Sequence, residues 1–360
     1  MTVEYEHGEL KECVLADFYT PEFWDEWLSV DDVDDIRDIF KRISTEILED
    51  LASIERTLQE HGITVHKPDT ANIEKELLYG EMTGQDDNVN SSTMFDLLAN
   101  VDAPMTPGYD LWLFNNKLYT CEEKDIEYTS IFNRLEAEGI TVERDPNNTS
   151  LKKFPFQSVQ RLGNTVWADS AELSEEQIAL LQTMLPTDTQ LIVEDDNGHN
   201  FIKWINPQLI HYSGHNEDKG PDACSGITKV YGHGMSSGRW LNETKNITSM
   251  DSFVNNAIAE MLKLNSNKWW VDRYIETGNN TILKEVKAFC QYWVDFTEGV
   301  TPFEQDGIAL NHQTYMTMGS DPDQVRAFKD KGVDLISVPF RHRYLWGHSL
   351  RGYVADLKRT

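Results

Sequence analysis

Apolar and polar positions repeat along this chain in one loose order: a short apolar strand, a stretch with a helical period of about 3.6 residues, and a second short strand opened by glycine. The first unit reads as a strand from Leu10 to Ala16, then a long amphipathic helix from Val33 to His61, then a strand Gly62-Ile63-Thr64-Val65. Within that helix Ile36, Phe40, Ile43, Ile47, Leu51, Ile54 and Leu58 recur at three- and four-residue steps and so share one face. The second unit has strands at Asp110 to Phe114 and Lys117 to Tyr119 around an Asn115-Asn116 turn, a helix from Ile126 to Glu138, and a strand Gly139 to Val142. The spacing of Leu135-x-x-x-Gly-Ile-Thr-Val142 repeats that of Leu58-x-x-x-Gly-Ile-Thr-Val65.

A third unit runs from Phe156 to Gln160, through a Gly163-Asn164 turn to Val166-Trp167, a helix Ser174 to Leu185 and a strand Gln190 to Glu194. Ser174 followed three residues later by Gln177 is the signature of a capping box. The fourth opens at Phe201 to Ile205, turns at Asn206-Pro207 and returns along Gln208 to Tyr212. The fifth has Ile308 to Leu310, a helix Pro322 to Lys331 and a strand Gly332 to Val338. Five such units suggest pseudo-repeats about a centre, against the plainer alternative of an ordinary α/β domain in which strands and helices alternate. Two stretches interrupt the pattern. Ile73 to Val101 is polar and reads as a loop or surface insertion, and Ser213 to Met250 is rich in Gly, Asn, Ser and His. Aromatic-rich helices at Ser252 to Leu264 and Thr281 to Phe296 follow, so residues 213–300 read as an accessory block.

Composition narrows the partners. The 360 residues carry 61 acidic and 32 basic side chains, a net charge of −29, which disfavours nucleic acid and anionic membrane surfaces. A basic partner or a cationic small molecule suits that charge better, although charge speaks first to solubility. No apolar run approaches the roughly 18 residues of a membrane span, and Met1 to Lys11 lacks the apolar core of a signal peptide, so a cytoplasmic location is expected. Cys13, Cys121, Cys224 and Cys290 lie far apart and form no metal or disulfide spacing. His211, His215, Asp218, Cys224 and His233 are close in sequence, but the glycines among them favour a polar loop over a zinc site, and no cofactor is expected.

Several motifs together resemble the glycine amidinotransferase and arginine deiminase group, the penteins. Glu9-Leu-Lys-Glu-Cys-Val-Leu15 is similar to that family's opening strand, and Thr106-Pro-Gly-Tyr-Asp110-Leu-Trp to its Pro-Arg-Asp motif. Gly332 to Arg343 resembles a Gly-led apolar strand running into Val-Pro-Phe-Arg. Leu350-Arg351-Gly352-Tyr353, followed by Asp356 to Arg359, resembles the closing Leu-His-Cys and its strand. The resemblance implies an α/β fold, a five-bladed α/β propeller of ββαβ units, forming one domain over residues 1–360 with the 213–300 block as a helical insertion. It also implies guanidino chemistry: carboxylates grip a planar guanidinium, a cysteine thiolate attacks its central carbon, and a histidine moves protons.

Carried over position by position, the family's site is incomplete here. Asp110 matches the first carboxylate, with Tyr109 where Arg stands in the family. Ser158 falls at an acidic position, and His199 matches the histidine while Phe201 occupies the place of a second guanidinium-binding Asp. Gly352 takes the place of the nucleophilic Cys, and Arg351 that of its preceding His. Loss of each buried charged contact weakens substrate binding by about 2–5 kcal/mol, and loss of the thiol removes the covalent route. Arg351 and His348 would make the old cavity basic and suited to an anion, if they are not ordinary surface groups. Three readings follow: a catalytically silent relative that binds a small molecule or partner; an active guanidino-group transferase or hydrolase whose nucleophile has moved, Cys224 first; and a structural or assembly protein, as a homo-oligomer or with a protein partner, using the aromatics around Trp269, Trp270, Tyr292 and Trp293. A small guanidino compound or another small molecule is the expected ligand.

Overall fold

The computed structural model describes residues 8–27, 34–79, 106–114, 116–120, 127–143, 154, 156–162, 165–170, 173–194, 202–212, 228–231, 307–318, 322–342 and 350–360. The first unit comprises strand β1 (Leu10–Leu15), helices α1 (Phe23–Trp27) and α2 (Asp34–Glu60), strand β2 (Thr64–His66) and helix α3 (Thr70–Tyr79). The second has a short helical turn α4 (Pro107–Asp110), strands β3 (Leu111–Phe114) and β4 (Lys117–Thr120), helix α5 (Thr129–Ala137) and strand β5 (Thr141–Glu143). A 3-10 turn at Phe156–Ser158 opens the third, followed by β6 (Val159–Leu162), β7 (Thr165–Asp169), α6 (Glu175–Met184) and β8 (Gln190–Glu194). The fourth has β9 (Ile202–Asn206), β10 (Leu209–Tyr212) and β11 (Thr228–Tyr231). The fifth has β12 (Gly307–Asn311), β13 (Thr314–Met318), α7 (Pro322–Lys329) and β14 (Asp334–Val338), and the chain closes with a helical turn α8 (Leu350–Tyr353) and strand β15 (Val354–Arg359).

These strands form five three-stranded sheets, ordered β15-β1-β2, β3-β4-β5, β6-β7-β8, β9-β10-β11 and β12-β13-β14. In every sheet the first strand pairs antiparallel with the middle one, and the middle one pairs parallel with the last. Parallel neighbours need a crossover, and helices α2, α5, α6 and α7 lie in that connection in the first, second, third and fifth sheets. The first sheet departs in one respect: its antiparallel strand comes from the far end of the sequence, Val14 standing opposite Ala355 and Leu15 opposite Val354.

The repeated Leu-x-x-x-Gly phrase has a local cause. Gly62, Gly139 and Gly332 take φ of 75°, 85° and 75°, the left-handed conformation that glycine adopts without a Cβ penalty. Each ends its helix in the same way. Ile63, Ile140 and Val333 donate to the carbonyls of Leu58, Leu135 and Phe328, while the glycine amide donates one turn back. The two hydrophobic partners of each pair are buried, as this C-terminal motif requires. At the other end of α6, Ser174 accepts from the Gln177 amide at 3.2 Å and its own amide donates to the Gln177 side chain at 2.9 Å, so the expected capping box is present.

Neighbouring sheets share cores. Val14, Ala355 and Leu357 of the first sheet pack with Leu111, Leu113, Leu118 and the α5 residues Ile131, Phe132 and Leu135. Phe114 and Tyr119 of the second join Val159, Val166 and Ala168 of the third, and Ile205 and Leu209 of the fourth join Ala309, Tyr315 and Phe328 of the fifth. On α2 the expected face is buried: Phe40, Ile43, Ile47, Leu51, Ile54 and Leu58 are all nearly inaccessible. No helix among the described residues is long and apolar enough to cross a membrane.

Three expectations need correction. Thr70–Tyr79 is helical, so the start of the supposed 73–101 loop belongs to α3; its period was hidden by the charged pair Glu74-Lys75 and a short length. The fifth unit contains a strand, β13, that the apolar pattern missed because Thr314 and Thr317 break its alternation. Residues 228–231, placed in the accessory block, add β11 to the fourth sheet in parallel with β10. A four-residue strand flanked by Gly and Ser residues gives too short a run to stand out. The rest of the 213–300 block, with Trp269, Trp270, Tyr292 and Trp293, lies outside the described residues.

Candidate functional site

Three turns far apart in sequence meet at one place: α4, the Phe156–Ser158 turn and α8. The approach of α4 to the chain end is a backbone contact. A Cβ on Gly108 would collide with the carbonyl oxygen of Arg351 and stand 2.7 Å from that of Val354, so only glycine lets these segments lie together. Ala16 ties the same region to the first sheet by donating to the Tyr353 carbonyl at 2.8 Å, and the Tyr353 ring stacks on Phe340 with centroids 4.6 Å apart. All four residues of α8 are buried.

Gly352 therefore sits in a closed environment. A Cβ built on it would lie 2.9 Å from Cε2 and Cζ of Tyr109 and 3.3 Å from its hydroxyl. The ring fills the space where a side chain at 352 would begin. Asp110, the next residue, accepts hydrogen bonds from Thr106 Oγ1 at 3.2 Å and from the Tyr128 hydroxyl at 3.1 Å. Ser158 is buried. Positions 110, 158 and 352 are thus brought to neighbouring turns, whereas His199, Phe201, His348, Cys121, Cys224 and Cys290 lie outside the described residues.

Beside these turns is a cavity of about 70 Å³. Its walls come from the first strands of four sheets, β15, β3, β6 and β12, together with Gly108, Phe156 and Arg351 from the turns. Asp110, Ser158 and Gly352 do not line it. Leu111, Trp112, Val159 and Ile308 give it apolar sides, and among the described residues its charged groups are Arg161, Arg351, Arg359 and Asp356. Val159 and Arg161 are two apart on β6 and so share a face.

The three guanidinium groups are held differently. Arg359 is held through two of its three nitrogens: Nε donates to Asp356 at 2.7 Å and Nη1 to the carbonyls of Gly8 and Ala309 at 2.6 and 2.7 Å. Arg161 lies over the Phe114 ring, 4.2 Å from its centroid, a cation–π arrangement. Arg351 is 6% exposed; its Nη2 donates to the Val159 carbonyl at 3.3 Å, and its Nη1 has no hydrogen-bond partner among the described residues. Arg161 and Arg359 were not singled out from sequence. Arg161 falls within a segment read for its lost carboxylate, and Arg359 was read only as the family's strand end.

Two further polar clusters hold the frame. Arg341, shortly after β14, contacts Asp50 of α2 through its amide at 2.7 Å and Nε at 3.1 Å. His342, wholly buried, meets Glu46 at 2.7 Å, and this hydrogen bond, helped by Arg42, pulls the Glu46 carboxyl down to about 2. Glu12 on β1 binds Arg134 at 3.0 Å and His66 at 3.4 Å, and burial followed by the nearby Arg134 charge holds the His66 imidazole below its usual value. Cys13 is fully buried, and burial, then the neighbouring Asp356, pushes its thiol far up. Among the described residues no group of His, Cys, Asp and Glu could hold a metal ion.

This fold is similar to that of solved amidinotransferases. The chain is similar to the inosamine-phosphate amidinotransferase StrB1 from Streptomyces griseus, with a TM-score of 0.58 at 12% identity over 100% of this chain and 97% of that one. It is also similar to SxtG, an amidinotransferase from Microseira wollei in the saxitoxin biosynthetic pathway, with a TM-score of 0.57 at 9% identity over 99% and 96% of the two chains. At such identities the likeness is one of fold. No family model and no curated protein matches the sequence.

Proposed function

We propose that this protein is a catalytically silent relative of the guanidino-modifying enzymes, and that its five units close as a propeller around a cavity retained for binding a small molecule. The observation that carries this reading is the contact between Tyr109 and Gly352: the position matched to the nucleophile has no side chain, and the ring of a neighbouring turn occupies the space one would need. Supporting the ring arrangement, four first strands line one cavity and the fifth sheet touches both the first and the fourth. The described thiol cannot substitute for the missing one. Cys13 is sealed in the first sheet, and its raised pKa keeps it protonated and unreactive.

The test is turnover by the purified full chain. Arginine is offered with glycine or hydroxylamine as acceptor, and with water alone, and ornithine and citrulline are assayed. No product above the no-enzyme rate is expected, and a haloacetamidine electrophile should label no thiol selectively. Turnover that disappears on replacing one cysteine, Cys224 in particular, would overturn the proposal in favour of a relocated nucleophile.

A further inference from the structure

We infer that the central cavity is a binding site for a small oxyanion, with Arg351 as its principal ligand and Arg161 as the second wall of positive charge. This deepens the proposed function, on which it rests, by reversing the sign of the ligand: an anion in place of a guanidinium cation. Arg351 is more than nine-tenths buried, yet its one hydrogen bond is long, to a neutral carbonyl, and Nη1 is unpaired among the described residues. A buried cation in this state is costly unless an anion joins it.

The charges around the cavity leave room for that anion. Among its described lining residues Asp356 is the one acid, bound to Arg359 Nε at 2.7 Å, while Arg359 Nη1 donates to two backbone carbonyls. Asp356 and Arg359 offset each other, and Arg351, which has no ion pair among the described residues, leaves positive charge on the cavity wall in a chain that is otherwise strongly acidic. A guanidinium presents paired N–H donors that match the two oxygens of a carboxylate or phosphate. Apolar walls at Leu111, Trp112 and Ile308 suit a short hydrocarbon attached to the acid. The cavity volume of about 70 Å³ accommodates a group of a few heavy atoms.

The experiment is a titration of the full chain with propionate, inorganic phosphate and methylguanidine at constant ionic strength, read by calorimetry and by the thermal midpoint. Saturable binding of propionate or phosphate with a rise in midpoint is expected, and the two arms tell a carboxylate from a phosphate ligand. Methylguanidine should leave both readouts unchanged. Arg351→Met should weaken anion binding at least tenfold. Arg351→Lys, which keeps the charge and loses the paired donors, should fall between Met and the native residue. Should the Met variant fail to fold, the Lys variant and the native titration still decide the matter. Absence of saturable anion binding, anion binding indifferent to both substitutions, or binding of methylguanidine instead would each overturn the inference. The turnover assay is separate: an inert protein that binds no anion refutes this site alone, whereas turnover refutes the silent-relative reading.

Discussion

The ring of Tyr109 stands 2.9 Å from the point where a side chain on Gly352 would begin. Positions 109 and 352, which the motif resemblance matches to an Arg and a Cys, are therefore in direct contact. Introducing a thiol there forces the ring to move, which is possible because the close atoms are the outer end of a side chain. Gly352→Cys is expected to destabilise by about 1–3 kcal/mol through overpacking. Combined with Tyr109→Ala, the loss should be smaller than the sum of the two single losses by at least about 0.5 kcal/mol, the scale of coupling between touching residues. Urea unfolding of the four proteins in the cycle measures this, and strict additivity would show that ring and glycine do not compete for the space.

Gly108 faces backbone instead of a side chain. Arg351 and Val354 carbonyls cannot swing aside as a ring can, so Gly108→Ala should exceed the usual overpacking cost of about 1–3 kcal/mol or abolish folding. Gly139→Ala is the control. Nothing lies within 4 Å of a Cβ there and only its φ of 85° resists, so a loss of about 1–2 kcal/mol is expected. Equal urea midpoints for the two variants would contradict the close approach of α4 to α8.

Acid should weaken the fold in two windows. His66 has a folded-state pKa below its unfolded value, so the unfolded chain takes up the proton first. Its contribution is present above about pH 6.5 and declines below it. Glu46, pulled down to about 2, contributes fully above its unfolded value near 4.5 and loses that contribution as pH falls toward 2. Comparing urea midpoints at pH 7.5, 5.5, 4 and 3, His66→Gln should flatten the first decline and Glu46→Gln the second. A native pH profile reproduced by both variants would remove these residues as the cause.

Cys13 should be silent toward thiol reagents in the native protein. It is inaccessible and held protonated, so its labelling by iodoacetamide should follow the opening of the β1–β15 pairing. Peptide mapping after a native pulse checks this. Rapid modification of Cys13 would mean that the first sheet opens far more readily than its packing implies.

Much of the frame was legible because it is written in short-range chemistry. The α2 stripe from Phe40 to Leu58, the Ser174–Gln177 capping box and the glycine stops at 62, 139 and 332 each depend on residues within a few positions of one another. Strands β11 and β13 were harder, since a strand of four or five residues acquires its identity from the neighbour it pairs with, and that neighbour is not encoded in its own alternation. The site was legible only in part. The motif comparison pointed to positions 110, 158 and 352, and these reach adjoining turns, yet the cavity beside them is lined by Arg351 with Arg161 and Arg359, two residues that carried no ligand role in the sequence.

By itself, the order of residues determined the buried stripe of α2, the helix stops and the absence of a side chain at 352, because periodicity, capping and glycine conformation are local. Only the tertiary structure decided that Tyr109 fills the space above Gly352, that β15 returns to pair with β1, and that Arg351 keeps an unpaired, buried guanidinium nitrogen. Those facts depend on which distant segments become neighbours. Long-range packing sets them, and no window of the sequence contains both partners.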